Sequence, residues 1–388
     1  MNSFKDNFTI TLPNSSLIFT RYLYIKDEVR IALLISLLHK KDDAIFWAYE
    51  LYYSGFQQEL FTLLWQIYYD FYATLNPAFE PYFFKKHAKW LNTHADTIVS
   101  AIVQDLLFRP FNTDIFFLRN IISTFQIDIE YHLDTHTILT CQDLSTNMAH
   151  WIETANYRSL AQWIEENAGT KWEPIEIYKC CLDIFESRGT KLTKSKLIKE
   201  FGSRGHNNKQ LLLVKIMTLI SKDAHLKKGR SIYFSVSQDD IACFQTLETA
   251  PPYRILREAA IYNIDEYKCL ALFQLKRNQY NLDDRYWHHW EYHASFSPLW
   301  LSRIRDCRGY VDYIEGRVKF IDDEHFEHFY DLYGLEPDEQ SKEIQDKSIT
   351  RIDTGKQWVD FHRSLNQNGL LTLDKDEFDI FDADKIIY

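Results

Sequence analysis

Residue types able to bind a metal or move a proton occur at several places, and the densest is Trp287-His288-His289-Trp290-Glu291-Tyr292-His293. His289 and His293 stand one helical turn apart, a spacing at which two imidazoles can grip zinc. The zincin pattern needs glutamate directly after its first histidine. Here Glu291 comes two positions on and points elsewhere, so two histidines satisfied within an aromatic interface are expected instead. Asp322, Asp323, Glu324, His325, Glu327 and His328 also gather ligand types, but they miss the inverzincin spacing by one residue. On a helix they would form an acidic first turn at the positive end of its dipole. His132, Asp134, His136 and Cys141 match no common metal site. Asn366, Asn368 and Gly369 fail as a calcium loop, because Ser364 and Lys375 would occupy its charged first and last positions.

No Walker A run, G-x-S-x-G elbow, kinase signature or dinucleotide fingerprint is present. The paired carboxylates Asp239-Asp240 and Asp283-Asp284 lack glycosidase surroundings and read as surface residues. The expectation is a non-enzymatic protein without catalytic residue, metal or cofactor, a metal-dependent enzyme being the remote alternative. Cys141, Cys180, Cys181, Cys243, Cys269 and Cys307 contain no Cys-x-x-Cys pair, so they read as reduced thiols in a reducing compartment.

Charge carries the sharper signal. Between Arg188 and Arg230 lie twelve basic residues (Arg188, Lys191, Lys194, Lys196, Lys199, Arg204, Lys209, Lys215, Lys222, Lys227, Lys228 and Arg230) against Glu200 and Asp223, a net +10. The whole chain is −11, so the remainder carries −21. A concentrated positive field attracts phosphate backbones or an acidic protein, with salt-sensitive affinity. The bland alternative is a solvated lysine face. Gly202-Ser-Arg-Gly205 resembles a KH clamp without convincing strands around it. A helix-turn-helix would instead start its recognition helix at Asn207, Asn208, Lys209 and Gln210, where amides can reach base edges. The C-terminal run places Asp374, Asp376, Glu377, Asp379, Asp382 and Asp384 among Phe378, Ile380, Phe381, Ile386 and Ile387, a pattern that suits docking onto a partner or onto the chain's own basic face, or equally a final strand or helix packed on the body.

The elements that must position these groups are helices. Only 11 glycines occur in 388 residues, and none lies between Gly55 and Gly169, which suits long helices on short links. Residues 7–25 predict one or two short strands or an extended arm. Helices are predicted from Lys26, from Asp42 as a cap to Gly55 as a stop, and over Gln57–Leu75 with Leu60, Leu64, Ile67, Phe71 and Leu75 in one row. Others follow at about 79–91, 94–108, 113–124, 143–154, 156–168, 174–187, 193–201 and 207–221, with an irregular connector at 126–142 and a wing strand at Ser231–Val236. Helical patterns resume after Pro251-Pro252. The fold class is mostly α: helical hairpins in a HEAT-like or bundle arrangement, without a fixed letter repeat, plus a smaller winged-helix-like basic region. The domains expected are an aromatic-rich 1–170, a basic 171–250, a helical continuation at 251–308, and a polar 309–388 with an acidic tail. Sixteen aromatics fall between Ala44 and Phe84; most must be core, and any on the opposite face would bind protein. The N-terminus lacks the apolar core of a secretory signal, and no run is long enough to span a membrane.

Three stretches, RYLYIKDEVRIALLISLLHKKDDAIFWAYELYYSGFQQELFTLLWQIYYDFYATLNP, PPYRILREAAIYNIDEYKCLALFQLKR and WEYHASFSPLWLSRI, resemble an uncharacterised protein family of the nucleocytoplasmic large DNA viruses, the giant viruses. They cover about a quarter of the chain. The resemblance implies viral or host protein partners and a place in the host cytoplasm, the virus factory or the virion; it supplies no catalytic residues. With it, the chain reads as a scaffold or adaptor of a virus-encoded gene-expression complex, in translation initiation or transcription. RNA or DNA, or an acidic partner, would sit on residues 188–230. The fold-level analogue is the HEAT-type middle domain of translation-initiation scaffolds, and the alternative is a virion or virus-factory structural protein.

Overall fold

The run KDEVRIALLISLL contains neither glycine nor proline, and Asp27 and Glu28 put negative charge where a helix dipole is positive, so α1 (Lys26–Leu38) forms without a side-chain cap. Nine of its 13 residues are buried, which matches its all-round apolar sequence. A computed structural model describes residues 17–125, 141–202, 209–224, 232–245, 288–335, 337–349 and 358–373. The strand pattern before residue 17, most of the connector, the helices expected between 251 and 287, and the acidic tail with Phe378, Ile380, Phe381, Ile386 and Ile387 lie outside them. Residues 17–25 form no strand; Phe19 and Ile25 make a single antiparallel bridge.

The chain is mostly helical, as the sequence predicts. α2 (Asp43–Tyr53), α3 (Gln57–Ile67), α4 (Phe79–Thr93), α5 (Thr97–Leu107) and α6 (Asp114–Phe125) follow on short links that double the chain back as hairpins. Asp42 stands at the N-cap of α2 but in helical backbone, φ −62° and ψ −22°, and makes no capping bond. Capping residues usually stand in extended backbone, from which the side chain reaches the free amides, and Asp42 does not, so that expectation is corrected. Gly55 does end α2, at φ +95°. A Cβ there would also meet the Pro298 Cβ at 2.6 Å. Gly55→Ala should therefore cost about 1–3 kcal/mol, from left-handed backbone plus overpacking, read as a lowered urea midpoint at unchanged slope.

Leu60, Leu64, Ile67, Phe71 and Leu75 are all buried, yet no single α-helix carries the row. After Ile67 the chain widens into a π-helix at Tyr68–Tyr72, which turns Tyr68, Asp70, Phe71 and Tyr72 inward together. Burial pushes the Asp70 carboxyl above its ordinary range, opposed by Arg119. Arg119 donates to it twice, at 3.2 and 2.8 Å, and Gln210 once, at 2.9 Å.

α7 (Cys141–Glu153) takes in Cys141 and Gln142, expected in the connector; α8 (Tyr157–Asn167), α9 (Pro174–Ser187), α10 (Lys194–Gly202) and α11 (Lys209–Asp223) follow. α9 starts where predicted because Pro174 sits in its first turn and Glu173 and Glu176 form a reciprocal capping box. α11 packs against α6, α8, α9 and the π-helix, across the boundary expected at residue 170. The strand expected at Ser231–Val236 is absent over residues 232–236, which run extended against α5 without strand pairing. A winged-helix arrangement is thus missing its wing.

α12 (Ala242–Gln245), α13 (Trp290–Ala294), α14 (Pro298–Asp306), the hairpin β1 (Gly309–Asp312) and β2 (Arg317–Phe320), α15 (Asp323–Tyr333), α16 (Lys342–Ile349) and α17 (Trp358–Leu365) complete the described elements. The strands pair antiparallel with Gly309 opposite Phe320. Asp322 caps α15 by accepting the His325 amide at 3.0 Å, with Asp323 and Glu324 in the first turn, as predicted. One hydrophobic cluster runs from Leu17 to Leu371 and includes α1, α11, Trp290 and Trp300. Among the described residues no helix is long and apolar enough to cross a membrane.

Candidate anion-binding surfaces

Four of the twelve predicted basic residues, Arg204, Lys227, Lys228 and Arg230, and also Asn207, lie outside the described residues. Most of the others are held by the protein itself. Arg188 donates to Glu153 at 2.9 Å and to the Ala149 carbonyl at 3.2 Å. Lys194 bridges Asp183 and Glu186, whose hydrogen bonds hold its ammonium above the usual pKa range. Lys209 pairs with Glu165, Lys215 with Glu80, and Lys222 donates to the Lys191 carbonyl at 2.7 Å. Gln210, expected to read bases, donates instead to buried Asp70.

α11 is therefore a packed helix and not an exposed recognition helix: Leu211 to Val214, Ile216, Met217 and Leu219 to Ser221 are buried. Such a surface cannot enter a groove of DNA without unpacking the core. What remains is an edge on the α9–α10 link and on α10. The Lys191 and Lys199 side chains are exposed and have no partner among the described residues. Lys196 is 71% exposed, 3.8 Å from Glu200, a pairing worth little in solvent.

A second basic surface lies on α4. Lys85, Lys86 and Lys89 stand three, four and seven residues after Tyr82, and so share one side of α4 with it. The extended segment at 232–236 lies beside that side because Asp105 accepts the Phe234 amide at 3.0 Å and Arg109 donates to the Ile232 carbonyl at 3.0 Å. Tyr233 then packs at a tilt against Tyr82 with ring centroids 4.1 Å apart, and Phe234 likewise against Phe108 at 4.8 Å. The Arg109 guanidinium lies beneath, 4.1 Å from the Phe79 ring and 5.2 Å from Tyr233. Burial raises the Tyr82 phenol, and the adjacent Asp105 charge adds to the shift. Lys86 sits 5.3 Å over Tyr82. The signal available in sequence was the lysine spacing on α4; the dense aromatics around it made the segment read as core.

The other candidates resolve into packing. Trp47, Tyr49, Tyr52, Tyr68 and Tyr72 are buried, so most of the aromatic stripe is core. The His293 ring packs edge-on against Phe19, with Nδ1 3.3 Å from the Leu17 carbonyl oxygen. Among the described residues no cluster of His, Cys, Asp and Glu has the arrangement of a metal site. A cleft between α1, α3 and the π-helix, lined by Arg30, Leu34, Leu63, Ile67, Asp70 and Phe71, holds a void of about 20 Å³, room for a water and no more. The outer hairpin exposes Tyr310, Tyr313 and Ile321, with Ile314 at its tip 98% exposed.

The described residues thus form a mostly helical body with basic and aromatic surfaces. No protein-family model, curated protein or solved structure matches the chain.

Proposed function

We propose that the protein is a non-enzymatic helical scaffold of a virus-encoded gene-expression complex, serving translation initiation or transcription in the host cytoplasm or virus factory. It holds nucleic acid on its basic surfaces and viral or host proteins elsewhere. The giant-virus setting rests on the resemblance in three stretches of sequence, and HEAT-like stacking of the hairpins belongs to the same proposal. The observation that carries the binding function is the segregation of charge: within a chain of net −11, Lys191, Lys196 and Lys199 project from one exposed edge without strong internal neutralisation. The hairpin tip around Ile314 offers an apolar surface to a protein partner. A scaffold role also fits the buried ionisable groups, which are engaged in holding helices together.

The test is binding of labelled single-stranded RNA and duplex DNA across a salt series, comparing wild type with K191E/K196E/K199E. Arg188, Lys194, Lys209 and Lys215 are left unchanged because reversing them would break internal ion pairs. Wild-type affinity should fall linearly on logarithmic axes, and the triple reversal should weaken it by about tenfold or more. If neither ligand binds wild type at low ionic strength, the nucleic-acid reading fails and the basic edge is a docking face for an acidic protein.

A further inference from the structure

We infer that the surface formed by Tyr82, Phe108, Tyr233 and the lysines of α4 binds single-stranded nucleic acid by stacking unpaired bases on its aromatic rings. The inference rests on the nucleic-acid reading above and narrows it to a ligand class and a place.

Its first support is that large apolar groups here stay exposed although Phe108 and Tyr233 each also pack against a neighbouring ring. Phe108 is 67% exposed, Ile232 49% and Tyr233 41%, although the same molecule buries most of its other large rings. The rings are also held rather than loose. Phe108 leads directly into buried Arg109, which anchors Ile232 and pairs with Asp105 at 3.8 Å, while Asp105 holds the Phe234 amide. A stacking platform needs this rigidity, since a base gains little from a ring that must first be immobilised.

The second support is charge. Lys85, Lys86 and Lys89 line the same side of α4, and among the described residues none has a carboxylate in ion-pair contact. Among the acids of the neighbourhood, Glu80 pairs with Lys215 and Asp105 with Arg109 and the Phe234 amide, its charge also reaching Lys86. The exposed carboxylates Asp239 and Asp240 follow the segment on a 3-10 turn, where Asp240 accepts from Ser237.

Together these are the two parts of a single-strand site, a cationic track for the backbone and π-faces for successive bases. A duplex would present only its phosphates here, because its bases are already stacked and paired. An acidic protein would use the lysines and leave the ring faces without a matching group.

The measurement is the affinity of wild type, F108A, Y233A and K85E/K86E/K89E for a labelled uridine oligonucleotide and for a DNA duplex. Far-UV circular dichroism establishes that each variant is folded; truncation at the exposed Phe108 leaves no buried cavity. F108A and Y233A should each weaken single-strand binding by about tenfold, with the duplex affinity and the salt slope unchanged. The lysine reversal should lower affinity and flatten the slope. Photocrosslinking through 5-bromouridine should label peptides containing Phe108 or Tyr233. If K191E/K196E/K199E abolishes binding while F108A and Y233A change nothing, the stacking site is refuted and the scaffold reading stands. If the lysines matter and the rings do not, the patch serves an acidic protein and the inference fails. If wild type binds no nucleic acid, both fall.

Discussion

Arg21→Ala should lower the unfolding free energy by about 3–5 kcal/mol, a large fraction of the stability of an ordinary domain. Arg21 and Glu50 are 2% and 0% exposed and meet at 2.9 Å. Around them every strong group is used: Glu50 also accepts the Tyr22 amide at 3.0 Å, Arg21 donates to the Phe244 carbonyl at 2.7 Å, and the Arg21 amide donates to Ser54 at 2.8 Å. Removing the guanidinium leaves a carboxylate inside the protein with only one amide to satisfy it, and desolvation then works against folding unopposed. Arg21→Lys should recover part of the loss but not all. A point ammonium cannot serve Glu50 and the Phe244 carbonyl through a planar fork, nor stack on Tyr22 and Tyr53, which lie 4.7 and 5.0 Å from the guanidinium carbon. Equilibrium urea unfolding of the three proteins decides the matter. A loss under about 1 kcal/mol for the alanine variant would mean that water reaches Glu50 in the native protein.

Lys215→Ala separates a structural lysine from a ligand-binding one. Its ammonium is 15% exposed and pairs with Glu80, which is 4% exposed and also accepts the Tyr69 hydroxyl at 3.0 Å. The expected loss is about 3 kcal/mol, at the low end for an orphaned buried charge because Tyr69 continues to donate. Binding assayed where the variant remains folded should keep the wild-type salt slope, since Lys215 contacts no phosphate. A stable variant whose slope drops by about one would assign Lys215 to the backbone of a bound nucleic acid instead. The contrast with K191E/K196E/K199E is the informative part: the same +10 stretch contains residues that should affect folding and residues that should affect only binding.

That contrast also shows where sequence reasoning ran out. A net charge counts lysines without their partners. Lys194 is matched by Asp183 and Glu186, close along the chain, and Lys209 by Glu165, but Lys215 is matched by Glu80, far away in sequence. The helix over 174–187 was legible to the residue, because its proline, capping glutamates and terminal glycine act locally. The π-helix at Tyr68–Tyr72 was not, because its apolar row fits an α-helix and only the demand to bury Asp70 against Arg119 and Gln210 distinguishes the two. The segment after residue 231 has the β-branched and aromatic residues of a strand, yet the backbone groups of Ile232 and Phe234 are taken by Arg109 and Asp105.

The sequence by itself determined the helical class, most helix boundaries and the candidate role of the α9–α10 lysines, because these depend on periodicity, capping and local charge. The tertiary structure decided that α11 is core, that Gln210 and Lys215 close buried carboxylate sites, and that Tyr233 comes to lie on Tyr82 beside the lysines of α4. Those outcomes depend on which distant groups meet when the helices pack, and the free energy of a buried charge or an exposed ring is set by that meeting and not by its neighbours in the chain.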